Sequence, residues 1–262
     1  MMVLDNAPSP TTRWPRARLR RFNLLVGLAH VAQALAVLAL SNGFAVGVTA
    51  AFQNGPPGSA PGARETLFGA AFGPLVAVFL LLAAADHLLL AVPAVNGWYE
   101  RNLDRGRNVA RWMEYAVSAS VMIILIALLT GITDVFALLA LFGVNAAMIL
   151  FGDLMERLNT DRSNVDWRPF WFGCVAGIVP WVAVTIAIVG AESGPGSVPA
   201  FVYGIYVSLF ILFNCFAVNQ LLQFRRVGAW RDYRFGEAVY IWLSLVAKSA
   251  LAWQVFAGAL AS

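Results

Sequence analysis

The sequence predicts an all-α membrane protein, a bundle of seven transmembrane helices. Of its 262 residues, 60% are hydrophobic and 12% are charged, and the mean hydropathy is +0.72. This composition excludes an ordinary soluble domain, which carries far more charge. The apolar runs of the sequence are separate, and each has at least roughly 20 residues, enough to cross about 30 Å of hydrocarbon.

The chain begins with a polar segment, and residues 1–12 are predicted to be disordered. We expect residues 1–20 to form a cytoplasmic tail and residues 21–262 to form the membrane domain. The first apolar run extends from Phe22 to about Leu40. It is too long for the apolar core of a typical signal peptide, and no small-residue cleavage site follows it, so we predict an uncleaved first span.

A long loop over residues 42–67 interrupts the apolar pattern. Gly, Pro and Ser are dense over residues 54–62, and the preceding Phe44–Thr49 alternates weakly, as a short strand does. We therefore predict a hairpin outside the membrane. The remaining predicted spans are Phe68–Val95, Val109–Gly131, Val135–Leu158, Phe170–Val189, Ala200–Phe224 and Phe235–Leu260.

The arginines predict the orientation. Every arginine except Arg64 lies before the first span or near the second-to-third, fourth-to-fifth and sixth-to-seventh connections. By the positive-inside rule, the N-terminus is cytoplasmic, the C-terminus and the hairpin loop are extracellular, and the protein lies in the cell membrane. Short clusters of arginines between apolar runs are typical of membrane topology rather than of a nucleic-acid-binding patch on one folded face. We therefore expect no nucleic-acid partner.

Soluble-enzyme motifs are absent from the sequence. It contains no CxxC, HExxH, GxGxxG or P-loop pattern, and so it signals neither a metal site nor nucleotide chemistry. Cys174 and Cys215 lie within apolar runs and are predicted to be reduced core residues. We expect no enzymatic activity.

Lys248, in the last span, is the chain's only lysine. It lies about 14 residues, or roughly 21 Å, beyond Arg234, too far for its side chain to reach that boundary. It must face the bundle interior, on the helix face that also carries Ser244 and Glu237. A buried lysine loses its proton readily and can condense with a carbonyl, whereas arginine cannot. A structural ion pair with a glutamate is the alternative.

Other polar residues fall on the cytoplasmic side of Lys248. Glu114 lies in the third span with Ser118 one turn deeper, and His30 and His87 lie in the first two spans. Together they predict a polar cavity, closed outward by apolar residues such as Leu251 and Val255. The estimated depths place Glu114 below Lys248 by more than one side chain. Either helix tilt and an earlier start of the third span close this gap, or Glu114 is not the partner.

Several charged residues have simpler interpretations. Asp153, Glu156 and Arg157 look like boundary charges at the inside end of the fourth span. Asp134 follows Thr133 at the start of that span and is predicted to cap the helix rather than to form a site. Packing alone could also explain His30 and His87.

Together these residues resemble a heliorhodopsin, a member of the inverted-topology, microbial-type rhodopsins. The resemblance covers about residues 20–260. Its motifs are Arg111-Trp112-Met113-Glu114-Tyr115 with Ser118 and Ser120 in the third span, Ser244-Leu245-Val246-Ala247-Lys248-Ser249 in the last, and the two histidines. The cytoplasmic N-terminus, opposite to that of the usual rhodopsins, makes the resemblance more specific.

The resemblance implies all-trans retinal bound to Lys248 as a protonated Schiff base, with Glu114 as its counterion and Ser244 in its hydrogen-bond network. It also implies a β-hairpin outside the membrane and a homodimer embedded in lipid. The two histidines would line the neighbouring polar cavity. Further pocket residues implied in this way are Tyr115, Ser118, Asn145, Met148, Phe213 and Gln220.

The sequence favours a sensor over a pump. A rhodopsin proton pump typically needs a second carboxylate three turns beyond the first in the third span, and that position is Leu125. The predicted function is a light receptor with a slow photocycle, which signals to a cytoplasmic protein through the arginine-rich loops. The alternative is a light-driven or light-gated ion transporter that uses the Glu114 and histidine cavity.

Overall fold

The protein is a bundle of seven long apolar helices with one short additional helix at one end. The computed structural model describes residues 13–194 and 197–261, so the predicted disorder of residues 1–12 lies outside the described residues. The α-helices of the described part are, in chain order, α1 Arg16–Leu40, α2 Phe72–Ala91, α3 Pro93–Asp104, α4 Val109–Leu129, α5 Val135–Leu158, α6 Arg168–Glu192, α7 Ala200–Phe224 and α8 Tyr233–Val255.

Seven of these helices are long and apolar enough to cross a membrane, and the short α3 is the exception. The last span continues beyond α8 through a wider helical turn, Phe256–Leu260. The predicted seven-helix fold is therefore confirmed. In the bundle α1 packs against α2, α2 against α4, and then α4, α5 and α6 pack in succession, while α7 packs against α8 and α8 returns to α1.

The predicted second span, Phe68–Val95, is wrong at both ends. Phe68 belongs to a strand, and α2 ends at Ala91 because Val92 has an extended backbone, with φ −65° and ψ 132°. The following residue, Pro93, disfavours helical conformation at the residue before it and is well suited to the first position of the new helix α3. Proline chemistry therefore ends the span where hydropathy alone extends it.

The first long loop contains the predicted hairpin. Strands β1 Ala45–Ala50 and β2 Glu65–Ala71 pair antiparallel, with Ala45 opposite Ala71 and an irregularity after Val48. The backbone N–H of Thr49 donates to the carbonyl of Thr133 at 2.8 Å, and the two threonine hydroxyls lie 3.1 Å apart. The hairpin is therefore fixed to the α4–α5 connection, at the end of the bundle away from the arginine-rich connections.

The largest apolar core lies toward the hairpin end of the bundle. It joins residues of the hairpin with residues of every long helix, including Ile126, Val184, Leu251 and Val255. Leu251 and Val255 are fully buried, as predicted for the side of Lys248 that faces the hairpin. Burial of this apolar surface stabilises the packed bundle.

Neither cysteine is a core residue, contrary to the prediction. Both are free thiols, but Cys174 on α6 is exposed and Cys215 on α7 is half-buried. In a membrane protein an apolar run does not require burial by protein, because its outer face contacts lipid tails that are equally apolar. An apolar neighbourhood in sequence therefore does not distinguish a core position from a lipid-facing one here.

Candidate functional site

The site is centred on Lys248, whose side chain is buried near the middle of α8. Its Nζ donates to the hydroxyl of Ser244, one helical turn earlier, at 3.0 Å. The four-residue spacing places both side chains on one helix face, as the sequence predicted. The same nitrogen lies 4.8 Å from the centroid of the Tyr115 ring, within the range of a cation–π contact.

Glu114 on α4 faces the lysine across the bundle. Both of its carboxylate oxygens lie 3.3 Å from Nζ of Lys248, and the two side chains are 7% and 4% exposed. Helix α4 begins at Val109, where the sequence predicted it to begin, so an earlier start does not close the estimated depth gap. The relative placement of α4 and α8 closes it instead.

An apolar cavity opens beside the ammonium group. Its volume is about 50 Å³, which by itself is below the usual range for cofactor pockets. Its lining residues are Tyr115, Ala119, Met122, Met148, Ile149, Phe213, Phe216, Ser244, Ala247 and Lys248. A second apolar cavity shares Met148, Ile149, Phe213 and Phe216 with it and extends to Trp181 and Gln220. A long apolar ligand could therefore occupy the space from Lys248 toward α6 and α7.

Sequence reasoning missed five of these lining residues: Ala119, Met122, Ile149, Phe216 and Ala247. Helical spacing could have identified most of them, because residues three, four and seven apart share one helix face. Ala119 and Met122 follow Tyr115 by four and seven positions on α4, and Phe216 follows Phe213 by three on α7. Helical spacing from Tyr115 and Phe213 therefore identifies three of the missed residues.

The two histidines form a buried pair between α1 and α2. Their rings stack with centroids 5.8 Å apart, and Nδ1 of His87 lies 2.8 Å from the side-chain oxygen of Asn23. Both ring nitrogens of His30 lack a hydrogen-bond partner among the described residues. Gln33, three residues after His30 on α1, accepts a hydrogen bond from the indole of Trp253 at 3.1 Å.

Two of the implied pocket residues form hydrogen bonds outside the cavity beside Lys248, and a third is buried without a hydrogen bond from its side chain among the described residues. Asn145 on α5 donates to the Ser120 hydroxyl at 3.1 Å and does not line the cavity beside Lys248. Gln220 on α7 donates to the carbonyl of Gly152 at 3.1 Å and lines only the second cavity. Ser118 is fully buried, and its hydroxyl has no partner among the described residues.

A second buried polar cluster lies at the arginine-rich end and was not predicted. Arg111 on α4 forms ion pairs with Glu156 on α5, at 2.7 Å, and with Glu237 on α8. All three side chains are at most 3% exposed. Glu156 is therefore not a boundary charge, and Glu237 pairs with Arg111 although it shares a helix face with Lys248.

Neighbouring side chains complete this cluster. The indole of Trp112 and the hydroxyl of Tyr233 donate to Glu156 at 2.7 and 2.9 Å. Tyr99, on the short helix α3, donates to Glu237 at 3.0 Å. Burial, together with the adjacent negative charge of Glu237, raises the pKa of Tyr99 well above its usual value. Hydrogen bonds thus compensate charges that would otherwise be costly to bury.

Asp134 and the pair formed by Asp153 and Arg157 are the remaining charged residues with predicted roles. The carboxylate of Asp134 accepts hydrogen bonds from the backbone of Phe136 and Ala137, both at 3.0 Å, and so caps α5 as predicted. Asp153 pairs with Arg157 at 2.5 Å, one turn apart; Arg157 is 48% exposed, as predicted for a boundary charge, whereas the Asp153 side chain is only 9% exposed.

Comparison with known proteins identifies a family and a structural relative. A family model described as heliorhodopsin matches residues 19–260. No curated protein sequence matches the chain. The crystal structure of a light-driven proton pump from Leptosphaeria maculans superposes with a TM-score of 0.59, covering 89% of this chain and 92% of that one. Its sequence is 15% identical, so this similarity shows the fold alone.

Proposed function

Because the chain belongs to the heliorhodopsin family, we propose that it is a retinal-binding light receptor that signals rather than pumps ions. Membership of this family and the rhodopsin-like fold support a retinal-binding rhodopsin in a membrane. The observation that carries the proposal is the position of Lys248. Its amine lines an apolar cavity and at the same time lies beside one buried carboxylate.

The residues of this site fit all-trans retinal, an apolar polyene aldehyde. The cavity wall is almost entirely aromatic and aliphatic, and its only amine is that of Lys248. When bound as a Schiff base at Nζ of Lys248, retinal would supply visible absorption and light-driven isomerisation. Tyr115, Met148, Phe213 and Phe216 would hold its chain.

Glu114 and Ser244 would control the proton on Nζ. A carboxylate 3.3 Å away attracts a positive charge more strongly inside a low-dielectric bundle than it would in water, and so favours the protonated form. The Ser244 oxygen, at 3.0 Å, fixes the direction of one N–H. Displacement of Nζ away from Glu114 would weaken this attraction and favour release of the proton. Leu251 and Val255 exclude water from the side that faces the hairpin.

Two features favour sensing over pumping. Beyond Glu114, α4 carries no second carboxylate, and the position three turns later is Leu125, which is fully buried in the apolar core. Toward the arginine-rich end, by contrast, polar contacts continue from the site. The hydroxyl of Tyr115 donates to the carbonyl of Tyr240 at 3.0 Å, and the guanidinium of Arg111 lies 3.9 Å above the Tyr240 ring.

We further propose that the N-terminus is cytoplasmic and the hairpin extracellular, in a homodimer within the cell membrane. The arginine-rich connections α3–α4, α5–α6 and α7–α8 contribute to one shared surface, which supports a common cytoplasmic side. A cytoplasmic signalling protein would bind this end. Residues 1–20 would then be the tail, and residues 21–262 the retinal-binding domain.

The decisive experiment is reconstitution with all-trans retinal. We expect membranes containing the protein to develop a visible absorption band, and Lys248→Arg to abolish it because a guanidinium does not condense with an aldehyde. Arg64→Lys, a conservative change at the hairpin end, is the matched control and should retain the band. Absence of a band in the unmodified protein would refute the proposal that it is a retinal-binding light receptor.

An ion transporter remains the second candidate, because the His30 nitrogens are buried and have no partner among the described residues. Such groups could exchange protons with Glu114. Illumination of voltage-clamped membranes distinguishes the two candidates. The receptor predicts no photocurrent and no pH change, whereas a sustained current that His30→Phe abolishes would establish transport.

A further inference from the structure

A basic pocket lies at the arginine-rich end of the bundle, apart from the lysine site. Three connections meet there: α3–α4, α5–α6 and α7–α8. Its lining residues are Leu103, Asp104, Arg105, Gly106, Arg107, Thr160, Asp161, Arg162, Arg226, Arg231 and Tyr233. The chain therefore brings five guanidinium groups from three distant segments to one open concave surface, with only two carboxylates among them.

The five arginines of this pocket have no carboxylate partner among the described residues. The two aspartates are engaged elsewhere: Asp104 accepts from Arg16 at 2.9 Å and from Arg234 at 2.8 Å, and Asp161 accepts from the backbone and hydroxyl of Ser163, both at 2.9 Å. An arginine that stands alone at the end of a membrane bundle can be solvated by water or by a lipid phosphate. Here the five arginines repel one another across a concave surface, an arrangement that a bound anion would stabilise.

Part of the pocket is held in position before any ligand arrives. Arg162 donates to the carbonyl of Gly106 at 2.9 Å, and its guanidinium lies 4.4 Å above the Phe224 ring. Gly106 has φ +69°, and a Cβ at this position would lie 3.1 Å from the Arg162 guanidinium. Arg231 donates to the carbonyl of Arg226, which itself has φ +53°. Tethered guanidinium groups lose less conformational entropy when they bind a ligand.

We propose that this pocket binds a ligand bearing more than one phosphate group. Arginine forms paired hydrogen bonds to phosphate oxygens, and five such groups exceed what a single phosphate needs. The hydroxyl of Thr160 supplies a further donor. The phosphates could come from a soluble polyphosphate compound or from anionic lipid headgroups at the membrane surface.

The test uses the full chain in nanodiscs of zwitterionic phosphatidylcholine, with inorganic pyrophosphate as the probe in calorimetric titrations. The test variant combines Arg105→Gln with Arg226→Asn, because asparagine tolerates the left-handed backbone at position 226. The control pairs Arg101→Gln with Arg13→Gln. It removes the same charge from exposed arginines that do not line the pocket. Elution volume and helical circular dichroism establish that both variants fold.

We expect saturable pyrophosphate binding near 0.1 M salt, weakened at least tenfold in the pocket variant and less than threefold in the control. A second arm counts anionic phosphatidylglycerol molecules retained in native mass spectrometry. Retention that falls only in the pocket variant, without pyrophosphate binding, assigns the site to lipid headgroups. Equal weakening in both variants, or binding of neither probe, overturns the proposal. None of these measurements depends on retinal. The phosphate-binding proposal is therefore tested independently of the proposal that the protein is a light receptor.

Discussion

Nζ of Lys248 lies 3.3 Å from both carboxylate oxygens of Glu114, although the two residues are 134 positions apart in the chain. Each side chain is almost completely excluded from solvent. Neither group forms another ion pair among the described residues. In the second buried cluster, Arg111 instead joins two other glutamates.

Glu114→Gln should change the absorption of the retinal-bound protein. The variant keeps the shape of the side chain but removes the negative charge that stabilises a proton on Nζ. We expect the nitrogen to hold its proton poorly near neutral pH and the absorption maximum to move sharply. A spectrophotometric pH titration measures both effects. An unchanged spectrum and titration would show that Glu114 is not the counterion.

Arg111→Gln should destabilise the bundle by about 3–5 kcal/mol, because it leaves Glu156 and Glu237 buried without their cation. The midpoint of thermal unfolding in detergent measures this loss. Arg168→Gln is the control, since it breaks a pair with Asp166 whose side chains are 77% and 30% exposed, and an exposed pair contributes little to stability. If the two variants unfold at the same temperature, the cluster does not stabilise the fold.

Asp134→Ala should cost about 1 kcal/mol through loss of the cap at the start of α5. Asp134→Ser retains a side-chain oxygen that can accept from the same backbone N–H groups and should recover most of the stability. Thermal unfolding of both variants makes the comparison. Equal destabilisation by alanine and serine would indicate that Asp134 acts through its charge rather than as a cap.

Asp104 should make stability depend on acidic pH. A hydrogen bond from Arg234 holds the pKa of Asp104 below its usual value of 3.8. Because the folded-state pKa is depressed, this contribution is present above pH 3.8 and is lost as pH falls through the lower folded value. Asp104→Asn should therefore lower the melting temperature at pH 6 by no more than about 2–4 °C, since the pair is exposed.

The same variant should converge with the unmodified protein as pH falls below the folded-state pKa of Asp104, where both lack the charge at this position. Glu65→Gln, an exposed change on β2 at the opposite end, controls for the general effect of removing one negative charge. A constant difference between Asp104→Asn and the unmodified protein from pH 6 to below that pKa would contradict the ion-pair explanation.

The sequence by itself determined the seven spans, the hairpin, the cap at Asp134 and the family. The spans, the hairpin and the cap depend on local sequence, because the length of an apolar run and the identity of turn residues determine the structure of the segment that contains them. It also singled out Lys248, because a lone amine deep in an apolar run cannot reach water. Its error at Phe68–Val95 arose because hydropathy does not detect the conformational effect of Pro93.

Only the tertiary structure decided which polar groups meet. Sequence depth estimates left Glu114 out of reach of Lys248, and the placement of α4 against α8 closed that distance. Arg111, Glu156 and Glu237 each resembled a boundary charge or a neighbour of the lysine, yet they converge in one buried cluster. Hydropathy records how deep a residue lies along its helix. Hydropathy does not record how a helix is rotated about its axis or which neighbouring helix it packs against. These two features determine every contact between α4, α5 and α8.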